Sequence, residues 1–260
     1  MFVKDIMTVN YPAFYEDELV TKARAVIRER GLRILPVIDK QKRLLGIVSR
    51  SDIMAISSSK SPIRVKGIMS TLAYVATVDM EASKAIREMI RRDTWYATVI
   101  DSVRNRLYKG VLGLDNFIDA LMKKKSPKFK KPVYEVMTTD IVTFSPEDGI
   151  DNVWRLMREK SLSGLPVVNE GKLVGIVTEK DLLERSAIFP AFESNKGRFK
   201  SSTKISSIMK TSVVALKEAA SLKEAARLML DKNFGRLPIV DEKGTLLGII
   251  DREDVVRALL

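Results

Sequence analysis

One pattern of hydrophobic and polar positions recurs along the chain. Apolar side chains fall at three- and four-residue spacing, which predicts an amphipathic helix. Its clearest copy comprises Leu222, Ala225, Ala226, Met229 and Leu230, and an earlier copy comprises Ile150, Val153, Trp154 and Met157. Ser221 precedes the later copy and Glu224 lies three residues further on, as in a capping box. The chain therefore carries the same helix at least twice.

A short β-branched run follows each helical segment. It reads apolar-Pro-apolar-apolar-Asp/Asn at residues 35–39, 165–169 and 237–241, whereas residues 97–101 carry Thr98 in place of the proline. Such a run between polar residues predicts a strand, and its proline places the strand's start or a sheet edge there. The sequence Asp241-Glu-Lys-Gly244 then predicts a hairpin turn into a second strand.

Two further signatures frame each copy of this pattern. Residues 3–8, 65–70, 133–138 and 205–210 share an apolar residue four positions before a methionine, and a glycine signature occupies residues 46–52, 110–116, 175–181 and 248–254. The glycine signature opens a strand and leads into a helix. Each unit is therefore predicted to run strand-helix-strand-strand-helix, which gives a mixed α/β (α+β) fold of four repeats.

The repeats and the segments between them divide the chain into six parts. We predict a first motif at 1–60, a degenerate second motif at 61–125, a basic linker at 126–132, a third motif at 133–186, a second linker at 187–204 and a fourth motif at 205–260. The second linker contains Phe189, Phe192 and Phe199, which predicts that it packs against the fold.

Composition narrows the chemistry and the compartment. The absence of cysteine and histidine excludes disulfides, thiol nucleophiles, Ser-His-Asp triads and imidazole zinc sites. A net charge of +12 favours anionic partners, although lysine and arginine also simply maintain solubility. No apolar run reaches the roughly 20 residues of a membrane span, and Asp5 interrupts the N-terminus, so we expect a cytoplasmic protein. The abundance of lysine and arginine, with a single glutamine, favours a thermophilic source.

Together the three signatures resemble the cystathionine β-synthase (CBS) domain family over essentially the whole chain. The arrangement is similar to archaeal four-motif CBS proteins and to the γ subunit of AMP-activated protein kinase. The resemblance implies two pseudo-twofold pairs of motifs that can close a disc. It also implies a non-enzymatic sensor that binds adenosine-containing ligands between paired motifs and regulates a protein partner.

The resemblance assigns ribose binding to an aspartate at the end of three glycine signatures, namely Asp181, Asp52 and Asp254. A carboxylate can accept hydrogen bonds from both ribose hydroxyls, and each such bond contributes about 1.5–3 kcal/mol. The alternative is that each aspartate merely caps its helix, which is worth about 1 kcal/mol. Nearby hydroxyls expected to contact ribose or phosphate are Thr178, Ser49 and Ser163.

The remaining site residues come from the paired motif. Phosphate binding is assigned to Arg236 and Arg33, because a guanidinium can hold phosphate through two parallel hydrogen bonds. The adenine pocket is assigned to first-strand residues that also serve the sheet core: Ile141, Val142, Val213, Val214 and Val75. A salt bridge at the surface is the alternative role for Arg236.

The four implied sites differ in quality. The Asp181 site keeps the full pattern, whereas the Asp254 site has Asp251 in place of a hydroxyl residue, which would repel phosphate. In the second repeat, Gly113 and Asn116 replace the hydroxyl and the aspartate, so weak or absent binding is expected there even with Arg33 in reach. Trp95 and Tyr96 of that repeat either pack in the core or stack on adenine.

The sequence leaves several alternatives open. The ligand is AMP, ADP, ATP or S-adenosylmethionine, with no metal required. A basic adaptor is the main alternative function, with residues 123–131 binding nucleic acid or an acidic protein. A phosphohydrolase with Mg²⁺ held by Asp251 and Asp254 is the third. The identity of a protein partner and the formation of a homodimer stay open as well.

Overall fold

The computed structural model describes residues 1–54, 56, 62–160, 162–186 and 203–260. Within these residues the fold is mixed α/β, as predicted, with eight α-helices and eleven strands in four small sheets. The three phenylalanines of the second linker lie outside the described residues, so their predicted packing stays a prediction. No helix in the described ranges has the length and apolar character needed to cross a membrane.

The first two repeats follow the predicted element order. The first contains β1 (Phe14–Tyr15), α1 (Val20–Arg30), β2 (Ile34–Ile38), β3 (Leu44–Ser49) and α2 (Arg50–Met54). The second contains β4 (Val75–Thr77), α3 (Ala82–Arg91), β5 (Tyr96–Ile100), β6 (Tyr108–Gly113) and α4 (Leu114–Lys123). In both sheets the first strand pairs in parallel with the second, and the second pairs antiparallel with the third.

The fourth repeat uses the same order, whereas in the third the predicted first strand is reduced to a single parallel bridge between Phe144 and Val167. The third contains α5 (Ile150–Glu159), β7 (Gly164–Asn169), β8 (Lys172–Thr178) and α6 (Glu179–Ser186). The fourth contains β9 (Leu216–Lys217), α7 (Leu222–Asp231), β10 (Arg236–Val240), β11 (Leu246–Asp251) and α8 (Arg252–Leu259). Ser221 caps α7 by accepting a hydrogen bond from the Glu224 amide, as predicted.

The predicted strand positions of two adenine-pocket pairs are wrong. Parallel pairing begins at Phe144 in the third repeat and at Leu216 in the fourth, after Ile141–Val142 and Val213–Val214. The earlier residues line cavities between the repeats instead of pairing with a neighbouring strand. Apolar β-branched residues suit either setting, so the sequence alone does not separate them.

The opening segment of each repeat packs on the other repeat of its pair. Val3 is fully buried and its amide bonds the Met80 carbonyl of the second repeat at 2.9 Å. Val65 returns to the first repeat, where its amide bonds the Glu18 carbonyl at 2.8 Å. The second pair repeats this exchange, because Val133 packs on the fourth repeat and Ile205 on the third: their amides bond Ala220 and Asp148, each at 2.8 Å.

The exchange explains why glycine begins each glycine signature. A Cβ at Gly248 would lie 2.5 Å from the Met137 sulfur, and one at Gly175 would lie 2.7 Å from the Met209 sulfur. Real Cβ atoms do not approach a sulfur so closely. In the second pair, the methionine of one signature therefore occupies the space that the glycine of the paired repeat leaves. In the first pair, the backbone carbonyl of the residue after that methionine does so: a Cβ at Gly46 would lie 2.8 Å from the Ser70 carbonyl oxygen, and one at Gly110 would lie closer still to that of Thr8.

The two pairs meet through their helices. Helices α3, α4, α7 and α8 share one hydrophobic core, so the second repeat faces the fourth. The first repeat faces the third, because Leu183 of α6 packs in the first repeat's core and Ser51 donates to Glu179 at 2.9 Å. This double contact is what the expected disc of two pairs requires.

Ile205→Ala tests the segment exchange. Ile205 is 0% exposed in the core of the third repeat. Its truncation should lower the free energy of unfolding by about 2–5 kcal/mol, measured by urea denaturation. Val103→Ala, at a residue that is 78% exposed, is the control and should change it by less than about 0.5 kcal/mol. An equally small effect of both substitutions would contradict the exchange.

Candidate functional site

The three predicted ribose-binding aspartates occupy the third position of their helices. Each carboxylate accepts a hydrogen bond from the backbone amide three residues earlier: Thr178 to Asp181 at 2.9 Å, Ser49 to Asp52 at 2.7 Å and Asp251 to Asp254 at 2.9 Å. The aspartates are therefore not the N-cap residues themselves, but they do take part in capping their helices, as the structural alternative expects. The N-cap is the earlier residue, and the aspartate completes a capping box with it.

Asp181 is the most enclosed of the three. Its side chain is 3% exposed, and one carboxylate oxygen accepts from both the amide and the hydroxyl of Thr178. The other oxygen forms an ion pair with the Lys210 ammonium at 2.8 Å. The hydrogen bond to Asp181 raises the pKa of Lys210. The carboxylate that would bind ribose is thus covered by a lysine of the paired repeat.

A cavity of about 230 Å³, here named the basic cleft, opens between the third and fourth repeats and reaches the first. Six cationic side chains line it: Arg33, Arg50, Lys180, Lys210, Lys232 and Arg236. Its apolar lining includes Ile176, Val213, Val214, Leu237 and Pro238, and its hydroxyls are Ser163, Thr178 and Ser212. No carboxylate belongs to the described lining. The cleft therefore offers an apolar wall and a strongly positive one.

Arg236 carries a buried donor with no partner. Its guanidinium donates to the Gly164 carbonyl at 2.8 Å and to the Ser163 hydroxyl at 3.4 Å. Its Nε is buried and has no hydrogen-bond partner among the described residues. Burial lowers the pKa of Arg236, because desolvation disfavours the charged form. An anion in the cleft would offset this cost.

The first pair contributes two more guanidiniums to the basic cleft. Arg33 lies 5.5 Å and Arg236 lies 5.8 Å from the centre of the Trp95 ring, so one ring contacts two arginines. A Cβ at Gly235 would lie 2.5 Å from the Arg33 guanidinium. Glycine there lets Arg33 approach the cleft of the second pair. We expected Arg33 in the site of the second repeat, and the structure places it here instead.

Arg50 is a buried cation at the basic cleft that donates to uncharged backbone carbonyls. It is 8% exposed and donates to the carbonyls of Gly31 at 2.6 Å and Leu32 at 2.7 Å. These carbonyls end helix α1, so they carry the negative end of its dipole. Desolvation first, and then the charge of Arg33, lower the pKa of Arg50. Backbone carbonyls thus hold a buried cation at the cleft without neutralising it.

A second cavity of about 170 Å³, here named the acidic cavity, lies on the other side of Arg236. Its lining includes Asp140, Asp251 and Asp254, together with the predicted Ile141 and Val142 and also Leu162. Burial and the neighbouring Asp251 raise the pKa of Asp254 to about 7. Ser163 was expected in this site, but the structure places it in the basic cleft because its hydroxyl faces Arg236.

Apart from Arg33, the residues predicted for the sites of the first pair line neither cavity. Ser49 and Asp52 keep the capping box, and Ser70 donates to Asp52 at 3.1 Å. Val75 lies in β4, paired with Thr98 of β5. Neither the basic cleft nor the acidic cavity is lined by any of these five residues.

Side chains of the first and second repeats lie at the predicted site of the second repeat. Tyr11 stands four residues after its motif methionine, as Ile141 does in the third repeat, and its hydroxyl donates to the Ile34 carbonyl at 2.9 Å. Asn116 donates to Thr8 at 3.2 Å. Tyr96 packs inside and accepts a hydrogen bond from Arg252 at 3.1 Å, which follows the core-packing alternative. Tyr11 and Tyr96 thus pack at the site where Asn116 replaces the aspartate of the other repeats.

The basic linker is anchored rather than free. Phe129 is 4% exposed in the core shared by the second and fourth repeats, and Lys128 donates to the Leu259 carbonyl at 3.1 Å. Phe129 is therefore not presented for stacking on a nucleobase. Among the described residues, no group of three or more acidic side chains is placed to hold a metal ion, and this includes the acidic cavity.

Five charged residues at the cavities were missed by the sequence reasoning: Arg50, Asp140, Lys180, Lys210 and Lys232. Lys210, Asp140 and Arg50 all face a predicted site. Lys210 had a detectable signal, because the residue after the motif methionine is a hydroxyl residue in the other three repeats. Arg50 and Asp140 had none, since surface positions near glycine signatures often carry charge.

Comparison with known proteins identifies the family. The CBS domain model matches residues 3–59, 133–188 and 205–260, so the chain belongs to the CBS domain family. The matched ranges leave out the second repeat, which the sequence predicted to be degenerate.

Similar proteins share the four-motif arrangement. Uncharacterized protein MJ1225 of Methanocaldococcus jannaschii is 28% identical over 275 residues, covering 98% of this chain and 95% of that protein. Its crystal structure, proposed as an archaeal homologue of γ-AMPK, superposes with a TM-score of 0.86 at 23% identity over 100% of both chains. The crystal structure of an uncharacterized conserved protein from Pyrococcus horikoshii superposes with a TM-score of 0.69 at 24% identity, also over 100% of both chains. The predicted family and fold class are confirmed.

The raised pKa of Asp254 predicts a pH-dependent stability. The folded state holds this proton more tightly than the unfolded chain, whose carboxyl pKa is near 3.8. Stability is therefore lost as pH rises from about 4 to about 7. Asp254→Asn removes this loss, so the variant should gain about 1–4 kcal/mol relative to wild type between pH 4 and pH 8, measured by urea unfolding.

Asp241→Asn provides a control of opposite sign. Hydrogen bonds from the Thr245 and Lys243 amides lower the pKa of Asp241. That variant should lose stability relative to wild type as pH rises through the acid range. Parallel pH profiles for wild type and Asp254→Asn would show that Asp254 ionises normally.

Proposed function

We propose that the protein is a non-enzymatic sensor that binds an adenine nucleotide in the basic cleft and transmits occupancy to a protein partner. The observation that carries this proposal is the lining of the cleft. Val213 and Val214 line the same cleft as six cations, and no carboxylate belongs to the described lining. A flat apolar base with an anionic tail matches this lining.

The geometry supports one orientation of the ligand. The base lies against Val213 and Val214, and the ribose reaches Thr178 and the Asp181 behind it. The phosphates then extend toward Arg236, whose unpartnered Nε gains an acceptor. Charge-assisted hydrogen bonds of this kind contribute about 1.5–3 kcal/mol each. AMP, ADP and ATP share these features, whereas the sulfonium of S-adenosylmethionine would face the cations.

Contacts with Arg33 and Arg50 would let a bound ligand change how tightly the two pairs of repeats are held together. Both arginines belong to the first pair, yet they line the cleft of the second. A phosphate that contacts them links the two pairs, so bound and free protein differ in how tightly the pairs are held. A ligand can shift a conformational equilibrium only if it binds the two states differently, and contacts across the pairs supply that difference.

The acidic cavity is not proposed as a phosphate site. Asp140, Asp251 and Asp254 would repel phosphate oxygens there, and Arg236 offers only one guanidinium to both cavities. A bound nucleotide in the basic cleft would engage that guanidinium first. We therefore expect one strong nucleotide site in the second pair.

Arg236→Met tests the proposed function. Wild-type protein, freed of bound nucleotide, is titrated calorimetrically with AMP, ADP, ATP and S-adenosylmethionine. The variant should bind the preferred nucleotide about 10- to 100-fold more weakly, because a buried charge-assisted contact is lost. Arg227→Met is the matched control, since Arg227 lies in the same repeat, pairs with Asp231 and is 75% exposed. It should bind as wild type does.

Two results would oppose the proposal. If folded wild-type protein binds none of the four ligands, the proposed nucleotide binding is wrong. Binding that both arginine variants leave unchanged would place the ligand outside the basic cleft.

A further inference from the structure

The residue after the motif methionine reaches the same point in three of the four sites. Ser70 donates to Asp52 at 3.1 Å, and Thr8 accepts from Asn116 at 3.2 Å. Lys210 takes this position at the basic cleft, where its ammonium lies 2.8 Å from Asp181. The fourth-repeat segment therefore places a cation where its counterparts place a hydroxyl.

Lys210 and Asp181 differ in their access to the cleft. The Lys210 side chain is 55% exposed and lines the cavity, whereas the Asp181 side chain is 3% exposed and does not. The Lys210 backbone is fixed, because it exchanges two hydrogen bonds with Ile176 at 2.9 and 3.0 Å. Only the side chain is free to change partner. Its ammonium thus stands between the cavity and the carboxylate expected to bind ribose.

We propose that Lys210 is a specificity-determining residue that selects phosphorylated over unphosphorylated ligands. This inference rests on the proposed nucleotide site. Ribose hydroxyls that bond Asp181 must displace the ammonium from it. A lysine displaced into a cleft lined by five other cations is repelled unless an anion is present. A phosphate chain supplies that anion, and the ammonium moves from the carboxylate to phosphate.

The exchange keeps both charges paired. With a nucleotide bound, Asp181 accepts hydrogen bonds from ribose and Lys210 donates to phosphate oxygens. With adenosine bound, Asp181 is satisfied but Lys210 is not. The ion pair therefore penalises nucleosides, whereas for nucleotides the contacts of the ammonium with several phosphate oxygens outweigh the lost ion pair, which raises the ratio of ATP affinity to adenosine affinity.

Lys210→Ser tests the proposal, because it restores the hydroxyl found at Ser70. The full-length wild type and variant are titrated with ATP and with adenosine, using competition against ATP where the heat of adenosine binding is small. We expect adenosine to bind about 3- to 10-fold more tightly and ATP at least about tenfold more weakly. The affinity ratio should fall at least about 30-fold, since both changes act in the same direction.

Two further variants complete the test, one as a control and one as an alternative to serine. Lys4→Ser removes an exposed ion pair to Asp79 of the same 2.8 Å length outside the cleft, and it should leave the ratio unchanged. Lys210→Gln keeps most of the side-chain length without the charge. It should lower the ratio as Lys210→Ser does, and it serves if the serine variant does not fold.

The outcomes separate this inference from the proposed function. If wild type binds neither ATP nor adenosine, the nucleotide site itself is wrong. If wild type binds ATP but the Lys210 variants change both affinities by the same factor, the site stands and the role of Lys210 is overturned. Loss of thermal stability with an unchanged ratio would make Lys210 only a structural counter-ion of Asp181.

Discussion

The exchange of opening segments between paired repeats is the constraint on which the rest of the structure depends. Each segment inserts a buried aliphatic residue into its partner's core and lies close over its partner's glycine. Neither repeat of a pair has a complete core alone. The exchange also fixes residues 139–142 and 211–214 across the gap between the repeats, and those segments wall the two cavities. Stability and the candidate sites therefore have one origin.

Buried guanidiniums distinguish the centre of the molecule from an ordinary core. Arg50 and Arg236 are held mainly by backbone carbonyls and a hydroxyl, so their positive charge is solvated but not cancelled. Arg252 differs, because it reaches the carboxylate of Asp115 at 3.6 Å as well as carbonyls. Uncancelled cations at the cleft cost stability in the free protein. In the proposed function, an anionic ligand would offset that cost and so couple binding to the contact between the two pairs.

One framework thus produces four different sites through a few substitutions. Trp95 fills in the first pair the position that Gly235 leaves open in the second. Asp251 replaces a hydroxyl and turns its cavity acidic, while Lys210 replaces a hydroxyl and covers a buried carboxylate. The backbone is repeated, because packing constrains it. Side chains that face the cavities between repeats are free to differ, and the differences set the charge of each cavity and the exposure of its carboxylates.

The sequence by itself determined the helices, the hairpin strands, the family and the position of the aspartates at the helix starts, because local spacing and capping are encoded within a few residues. It misplaced the first strands of the last two repeats, because apolar β-branched residues suit a strand and a cavity wall equally. Its repeats also revealed that the second motif is degenerate, with Gly113 and Asn116 in place of the usual side chains. Only the tertiary structure decided which segments exchange, because exchange depends on contacts between residues far apart in the chain, as between Val65 and Glu18 or Val133 and Ala220. It also brought Arg33 to Arg236 through Trp95, and Lys210 to Asp181. Lys210 meets Asp181 only after the two repeats of a pair have packed, and Arg33 meets Arg236 only after the two pairs have packed.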